Sequence, residues 1–172
     1  MDNETARIGD YLIRPGSSED MPRLESLWLA FYEDQKRRGM LLDLPVDAFA
    51  HWTKSYVPVL GRFACLFVAE KNGDLVGFLA GRIRSLPPYF GGSQAGFISE
   101  VYVANAHRGQ GLGRHLVLSA TRWFQKVGLM RIELQVIMNN TPARELYHQL
   151  GWSEELVQMV WQSKAAEANP DS

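Results

Sequence analysis

The 172-residue sequence predicts an α/β protein of the α+β type, with a mixed, mostly antiparallel sheet and helices packed on it. Two observations support this fold class. The hydrophobic period changes along the chain between the 3.6 of helices and the 2 of strands. The predicted elements follow the order β-α-α-β-β-β-α-β-α-β, whereas a doubly wound protein alternates strictly between strands and helices.

Two helices follow a short first strand. YLIRP, residues 11–15, is the strand candidate. SSED at 17–20 then starts a helix, because a serine can cap the first turn and acidic residues are favourable there. Apolar residues at helical spacing extend this helix to Gly39. A second, less regular helix is predicted at residues 46–56.

The middle of the chain shows the alternation of strands. FACLFVAE (63–70) and LVGFLAGRIRS (75–85) are predicted strands. Asn72-Gly73 joins them, because this pair readily takes the positive φ angles of a tight hairpin. AGFISEVYV (95–103) is the next predicted strand, after a loop rich in proline and glycine.

The C-terminal part returns to helices. Apolar residues share one helical face over 111–127, and Gly128 is a plausible terminator. MRIELQVI at 130–137 alternates as a strand does. NNTPARELYHQLG contains a short helix with Thr141 as its candidate cap, and LVQMVWQ at 156–162 is the last strand candidate.

Composition limits the classes of function. A net charge of −1 argues against a nucleic-acid binder held by phosphate contacts. No run of about 18 apolar residues is present, and the polar start MDNETARIGD is unlike a signal peptide, so we expect a cytoplasmic protein without membrane association. One domain over 1–162 and a fraying tail at 163–172 are expected. Cys65 is expected to be a buried apolar residue, and the four histidines lack metal-ligand spacing, so no metal site is predicted.

RGQGLGR at 108–114 joins a predicted strand to a helix. The first N–H groups of a helix have no intrahelical partner, and glycines allow an anion to approach them closely. Arg108 and Arg114 can add charge-assisted contacts, so the segment is a candidate diphosphate site. The pattern GxxxxGK[ST] is absent, and the glycine spacing does not meet GxGxxG. Taken alone, the segment is equally compatible with a loop that binds nothing.

EVYVANAHRGQGLGRHLV resembles the central motif of the GNAT family of N-acetyltransferases, [Q/R]-x-x-G-x-[G/A] after a hydrophobic strand, which begins here at Arg108. NNTPARELYHQLGW at 139–152 resembles a second block of that family, an Asn followed by a short helix that bears a Tyr. The resemblance is strong over 97–152, and before it only the order of elements agrees. It implies the acyl-CoA N-acyltransferase fold, with helices on both faces and strands splayed at an acetyl-CoA cleft.

The family resemblance implies acetyl-CoA as the donor and a primary amine of a small molecule or a protein as the acceptor. The pantetheine arm is expected to lie along SEVYV like an added strand and to bond the backbone of Val101 and Val103. Asn140 is expected to bond the same arm, and its alternative role is to cap the following helix. The backbone amides expected to hold the diphosphate are those of Gly109, Gln110, Gly111, Gly113 and Arg114.

Aminolysis of a thioester requires a base and benefits from an acid. The resemblance makes Glu100 the candidate general base, acting through water; its alternative role is an ion pair with an arginine such as Arg82. Tyr147 is the candidate general acid for the leaving thiolate, because a tyrosine stays protonated at neutral pH. Its alternative role is packing. The backbone N–H of Val101 is the candidate oxyanion donor.

The family resemblance implies that the first helix and the loop at 86–94 form walls of the acceptor site, so their aromatic residues are candidates for the acceptor side. Tyr32 and Tyr89, with the acidic pair Glu33-Asp34, are the predicted acceptor residues, whereas Trp28 and Phe31 are expected in the core. Homodimers are common in the family, and the strand predicted at 156–162 is a candidate contact. Two alternatives stay open: a CoA-binding module without turnover, and a nucleotide-binding regulator.

Overall fold

A single six-stranded sheet organises the chain, in the order β1-β2-β3-β4-β5-β6. The structure is a computed structural model and describes residues 5–40 and 42–161. Neighbouring strands are antiparallel from β1 to β5, and β6 is parallel to β5. The strands are β1 (Ala6–Ile8), β2 (Tyr11–Pro15), β3 (Ala64–Lys71), β4 (Asp74–Ser85), β5 (Gln94–Val103) and β6 (Ile132–Leu134). The helices are α1 (Met21–Arg37), α2 (Ala48–Tyr56), α3 (Leu112–Lys126) and α4 (Thr141–Gln149).

Helices cover both faces of the sheet, so the predicted fold class is confirmed. On one face, α1 and α2 bury an apolar cluster that includes Trp28 and Phe31, as predicted. On the other face, α3 buries Leu116, Ala120 and Phe124. A Cβ on Gly96 would lie 2.7 Å from the Phe124 ring, so glycine at this position lets α3 pack directly on β5.

Local signals in the N-terminal half have the predicted effect. Ser17 and Asp20 form a capping box around a short 3₁₀ turn that leads into α1. Asn72 and Gly73 have φ angles of 51° and 87° and join β3 to β4 as a tight hairpin.

A β-bulge interrupts β5. Ile98 pairs with Gly81 of β4, but Glu100 pairs with Ala80, so Ser99 is an extra residue without a partner in the ladder. Ala80 belongs to the apolar cluster under α1 and α2. Because directly paired residues share a face of the sheet, the bulge directs Glu100 toward α1 and α2.

The strands β5 and β6 separate after three residue pairs, the last of which is Ile98 with Leu134. Beyond this pair, residues 100–103 of β5 keep their pairing with β4 and have none with β6. A cleft opens between the two strands. The predicted splaying of strands is confirmed.

Three strands differ from the sequence predictions. β1 was not predicted, because three residues carry too little periodicity. β6 is shorter than the strand predicted at 130–137. The strand predicted at 156–162 was wrong over its described residues: 152–161 form no strand, because β6 ends at Leu134 and offers them no continuing ladder. Residue 162 and the predicted tail at 163–172 lie outside the described residues.

The start of α4 also differs from the prediction. Asn140 is the residue before the helix, and Thr141 is its first residue. Neither side chain caps the first turn with a hydrogen bond. No helix within residues 5–40 and 42–161 has the length and apolar character needed to cross a membrane.

Candidate functional site

The cleft between β5 and β6 has a volume of about 470 Å³. Its walls come from β5, the glycine segment, α4 and the C-terminal end of α1. Nine predicted site residues line it: Val101, Val103, Arg108, Gly109, Gly111, Gly113, Arg114, Asn140 and Tyr147. Four others are not among its lining residues: Glu100, Gln110, Tyr32 and Tyr89.

The glycine segment presents a run of unpaired amides. Within the described chain, no hydrogen bond is made by the backbone N–H groups of residues 109–114, and the first paired one is that of His115, to the carbonyl of Gly111. Gly109 and Gly111 have φ angles of 76° and 78°, in the left-handed region that favours glycine. The run forms a concave donor surface that suits an anion. The side chain of Gln110 borders a separate depression with Lys71.

Arg108 lines the cleft, and its side chain also makes contacts within the protein. Its Nε donates to the carbonyl of Val103 at 2.9 Å, and its guanidinium lies 5.4 Å from the centre of the Tyr102 ring. A guanidinium nitrogen of Arg108 also lies 3.9 Å from a carboxylate oxygen of Asp34 on α1. Arg108 therefore fastens the glycine segment to the end of β5. The side chain of Arg114 has no hydrogen bond or ion pair with any described residue and lies at the cleft.

The open edge of β5 carries the backbone groups of Val101 and Val103. The N–H of Ala104 donates to the carbonyl of Val76 on β4. Because successive residues of a strand direct their backbone groups to opposite sides, those of Val103 and Val101 face away from β4. The carbonyl of Val103 is taken by Arg108, whereas both groups of Val101 face the cleft.

Tyr147 and Asn140 line the wall opposite β5. The Tyr147 hydroxyl has no hydrogen-bond partner among the described residues, and its ring lies 5.9 Å from that of Trp152. Burial raises the pKa of Tyr147 to about 12, so the hydroxyl keeps its proton at neutral pH. The Asn140 side chain makes no capping hydrogen bond, which leaves its amide available to a ligand.

Glu100 is buried behind the cleft, with only 3% of its surface exposed. The Tyr32 hydroxyl donates to its Oε1 at 3.1 Å, and the Ser99 hydroxyl donates to its Oε2. Burial raises the pKa of Glu100, and the bonds from Ser99 and Tyr32 and the charge of Arg82 oppose this rise without cancelling it. Arg82 itself bonds Ser55, so the alternative ion pair with Glu100 is not formed.

The two predicted acceptor tyrosines lie in different places. Tyr32 contacts Glu100, and burial next to that carboxylate raises the pKa of its hydroxyl. Tyr89 is 81% exposed beside Phe90 and is not at the cleft. Of the acidic pair, Asp34 lines the cleft and is held by Arg38 at 2.9 Å, whereas Glu33 is exposed.

The family-model comparison matches residues 21–152 to the acetyltransferase (GNAT) family. The chain belongs to the GNAT family. This match covers α1 to α4 and therefore every wall of the cleft. Within the described residues, no group of three or more histidine, cysteine, aspartate or glutamate side chains is placed to hold a metal ion.

The acetyltransferases that this chain resembles carry different names. A mycothiol acetyltransferase of Amycolatopsis mediterranei is 36% identical over 88 residues, which is 51% of this chain and 29% of that protein. The chain thus spans less than a third of the length of this relative. Two solved structures share the fold. A ribosomal-protein-alanine N-acetyltransferase from Brucella melitensis has a TM-score of 0.66 at 20% identity, covering 89% of this chain and 99% of the other. An aminoglycoside N-acetyltransferase in complex with CoA has a TM-score of 0.71 at 17% identity, covering 96% and 99%.

Sequence reasoning missed several residues of this GNAT cleft. Gln35 and Arg38 at the end of α1 line it, and the carbonyl of Arg38 accepts a hydrogen bond from Asn139 at 3.4 Å, which ties α1 to the segment before α4. No local pattern indicates such a contact between residues 101 positions apart. Ser99 was detectable, because Ile98 and Val101 are apolar residues three apart in a strand, and such spacing indicates a bulge.

Proposed function

We propose that the protein is an acetyl-CoA-dependent N-acetyltransferase that transfers the acetyl group directly to a primary amine. The observation that carries this proposal is the run of unpaired amides at residues 109–114, which lies at one end of an unpaired strand edge. A diphosphate fits the amides, and an arm with amide groups fits the edge at Val101. CoA joins these two chemical groups in one ligand. The acetyl end would then lie between β5 and Tyr147.

In this proposal, the groups that thioester aminolysis needs come from the cleft and from the buried carboxylate behind it. The amine nitrogen attacks the acetyl carbon to form the C–N bond, and the N–H of Val101 is positioned to stabilise the resulting oxyanion. The C–S bond then breaks, and Tyr147 gives its proton to the leaving sulfur. Tyr147 recovers a proton from the nitrogen, which becomes the amide. The proton lost by the initial ammonium goes to Glu100, the proposed general base.

The acceptor proposal stays at the level of a primary amine of a small molecule or a protein. The named relatives are a mycothiol, a ribosomal-protein-alanine and an aminoglycoside acetyltransferase, so the fold accepts amines of different size. Phe31, Asp34 and Gln35 of α1 also line the cleft, and they belong to the part of the sequence in which only the order of elements agrees with the family.

A second candidate function is a CoA-binding module without turnover. One observation favours it: Glu100 is not exposed to the cleft. The experiment that separates the two is an assay of thiol release from acetyl-CoA with a panel of small amines, peptides with free N-termini and lysine peptides. Thiol release from acetyl-CoA that depends on one of the amines supports the enzyme. Thermal stabilisation by acetyl-CoA with no thiol release on any amine supports the module. Stabilisation by ATP or NAD, and none by acetyl-CoA, contradicts both.

A further inference from the structure

Glu100 needs a connection to the cleft if it acts as a base. Its carboxylate is buried, and the groups that face it are Tyr32 from α1, Trp52 and Tyr56 from α2, and Arg82 from β4. None of these four residues lines the cleft. A substrate in the cleft therefore cannot reach Glu100 through them.

Ser99 is the one described residue that both lines the cleft and bonds Glu100. The bulge produces this arrangement. Ser99 has no partner in the ladder, so its side chain is not fixed to the alternation of β5, and its hydroxyl reaches Oε2 of the next residue. The carbonyl of Ala80 lies 3.2 Å from the same hydroxyl oxygen and is an alternative acceptor of its proton.

We propose that Ser99 relays the proton of the acceptor ammonium from the cleft to Glu100. This inference rests on the proposed function, in which Glu100 is the base. A hydroxyl has one proton to donate and lone pairs to accept another. As the ammonium gives a proton to Oγ of Ser99, the original hydroxyl proton moves to Oε2 of Glu100. The ammonium becomes an amine, the serine is unchanged, and the carboxylate becomes a carboxylic acid.

The relay also returns the proton. After the product leaves, water enters the cleft, and the carboxylic acid loses its proton through Ser99 to that water. Tyr32 holds the other carboxylate oxygen, Oε1, as a donor and keeps Oε2 directed toward Ser99. Among the described residues, the connection between Glu100 and the cleft therefore runs through Ser99.

A matched pair of variants tests the relay. Ser99→Thr keeps the hydroxyl. Ser99→Val gives a side chain of the same shape as threonine in which a methyl group replaces the hydroxyl, and both residues suit a strand. With the best amine of the panel, we expect Ser99→Thr to stay within about threefold of the wild-type kcat. We expect Ser99→Val to lose about 10²-fold, within the usual range for a proton-transfer group. The KM for acetyl-CoA should change little in either variant.

The pH profile separates a relay from a residue that only tunes the base. If Ser99 only lowered the pKa of Glu100, the kcat of Ser99→Val would rise to the wild-type plateau at higher pH. A relay predicts a plateau that stays low at every pH. It also predicts that Ser99→Val combined with Glu100→Gln loses no more than Glu100→Gln alone, because both changes break the same path.

Each result identifies what fails. A fully active Glu100→Gln variant overturns the base assignment of the proposed function, and the relay with it. A strongly impaired Glu100→Gln together with an active Ser99→Val overturns the relay only. If Ser99→Val does not fold, Ser99→Ala is measured in mixtures of H₂O and D₂O. The dependence of kcat on the D₂O fraction gives the number of protons that move in the rate-limiting step. Two such protons in the wild type and one in Ser99→Ala support the relay, whereas equal numbers contradict it.

Discussion

The hydroxyl of Tyr56 accepts a hydrogen bond from the backbone N–H of Gly81, with 2.9 Å between the oxygen and the nitrogen. It also lies within hydrogen-bonding distance of the carbonyls of Cys65 and Gly81. The pairing of β4 with β5 shifts at Gly81, so a side chain from α2 satisfies backbone groups beside the bulge. The placement of Ser99 and Glu100 on β5 therefore depends on a helix on another layer.

We expect Tyr56→Phe to lower the free energy of unfolding by about 2–3 kcal/mol, because it leaves a buried N–H without an acceptor. The urea midpoint measures this loss. Tyr11→Phe is a comparison, since it removes one partly buried hydrogen bond to His107 and should cost about 1 kcal/mol or less. Equal losses in the two variants would contradict a special role of Tyr56 at the bulge.

Gly111→Ala should raise the KM for acetyl-CoA at least tenfold. The residue has a φ of 78°, so alanine is strained there and displaces the neighbouring amides. Gly128→Ala is a matched control at the other end of α3, with a φ of 87° and no atom within 4 Å of an added Cβ. Both variants should lose about 1 kcal/mol of stability. Only the first should lose affinity for acetyl-CoA, as measured by calorimetry; an unchanged affinity argues against the diphosphate site.

Glu100→Gln should make the protein more stable at neutral pH. Burial raises the folded-state pKa of Glu100 above its unfolded value of about 4.3. Between these two values the folded chain binds more protons than the unfolded chain, so the free energy of unfolding falls as pH rises. Glutamine removes this dependence. Urea unfolding from pH 4 to pH 8 should show a difference between variant and wild type that grows with pH; a constant difference would contradict the raised pKa.

Tyr147→Phe should lower kcat by about 10²- to 10⁴-fold while the affinity for acetyl-CoA stays close to that of the wild type. The ring still packs beside Trp152 after the change, so only the proton donor is lost. Steady-state thiol release at saturating acetyl-CoA measures the effect. A variant with normal kcat would restrict Tyr147 to packing.

The glycine-segment half of the cleft was predictable because its signals are local. Gly109 and Gly111 need positive φ angles, and the strand before them and the helix after them are each marked by their own hydrophobic period. The α1–Asn139 contact was not predictable, because it depends on how far a helix crosses the sheet. The strand predicted at 156–162 failed for a related reason: alternation shows that a segment suits a strand, but only a neighbouring edge makes it one.

The short paired segment between β5 and β6, here called the seam, has a consequence for the affinity for acetyl-CoA. The part of the chain that carries Asn140 and Tyr147 is joined to the sheet by three residue pairs, and α4 has no fully buried residue. Such a part opens locally at a lower free energy than the core does. In the proposed function the donor contacts both sides of the seam, so its apparent Kd would include the fraction of molecules in which the seam is closed. Substitutions at the seam that touch no ligand would therefore tune donor affinity through this closed population.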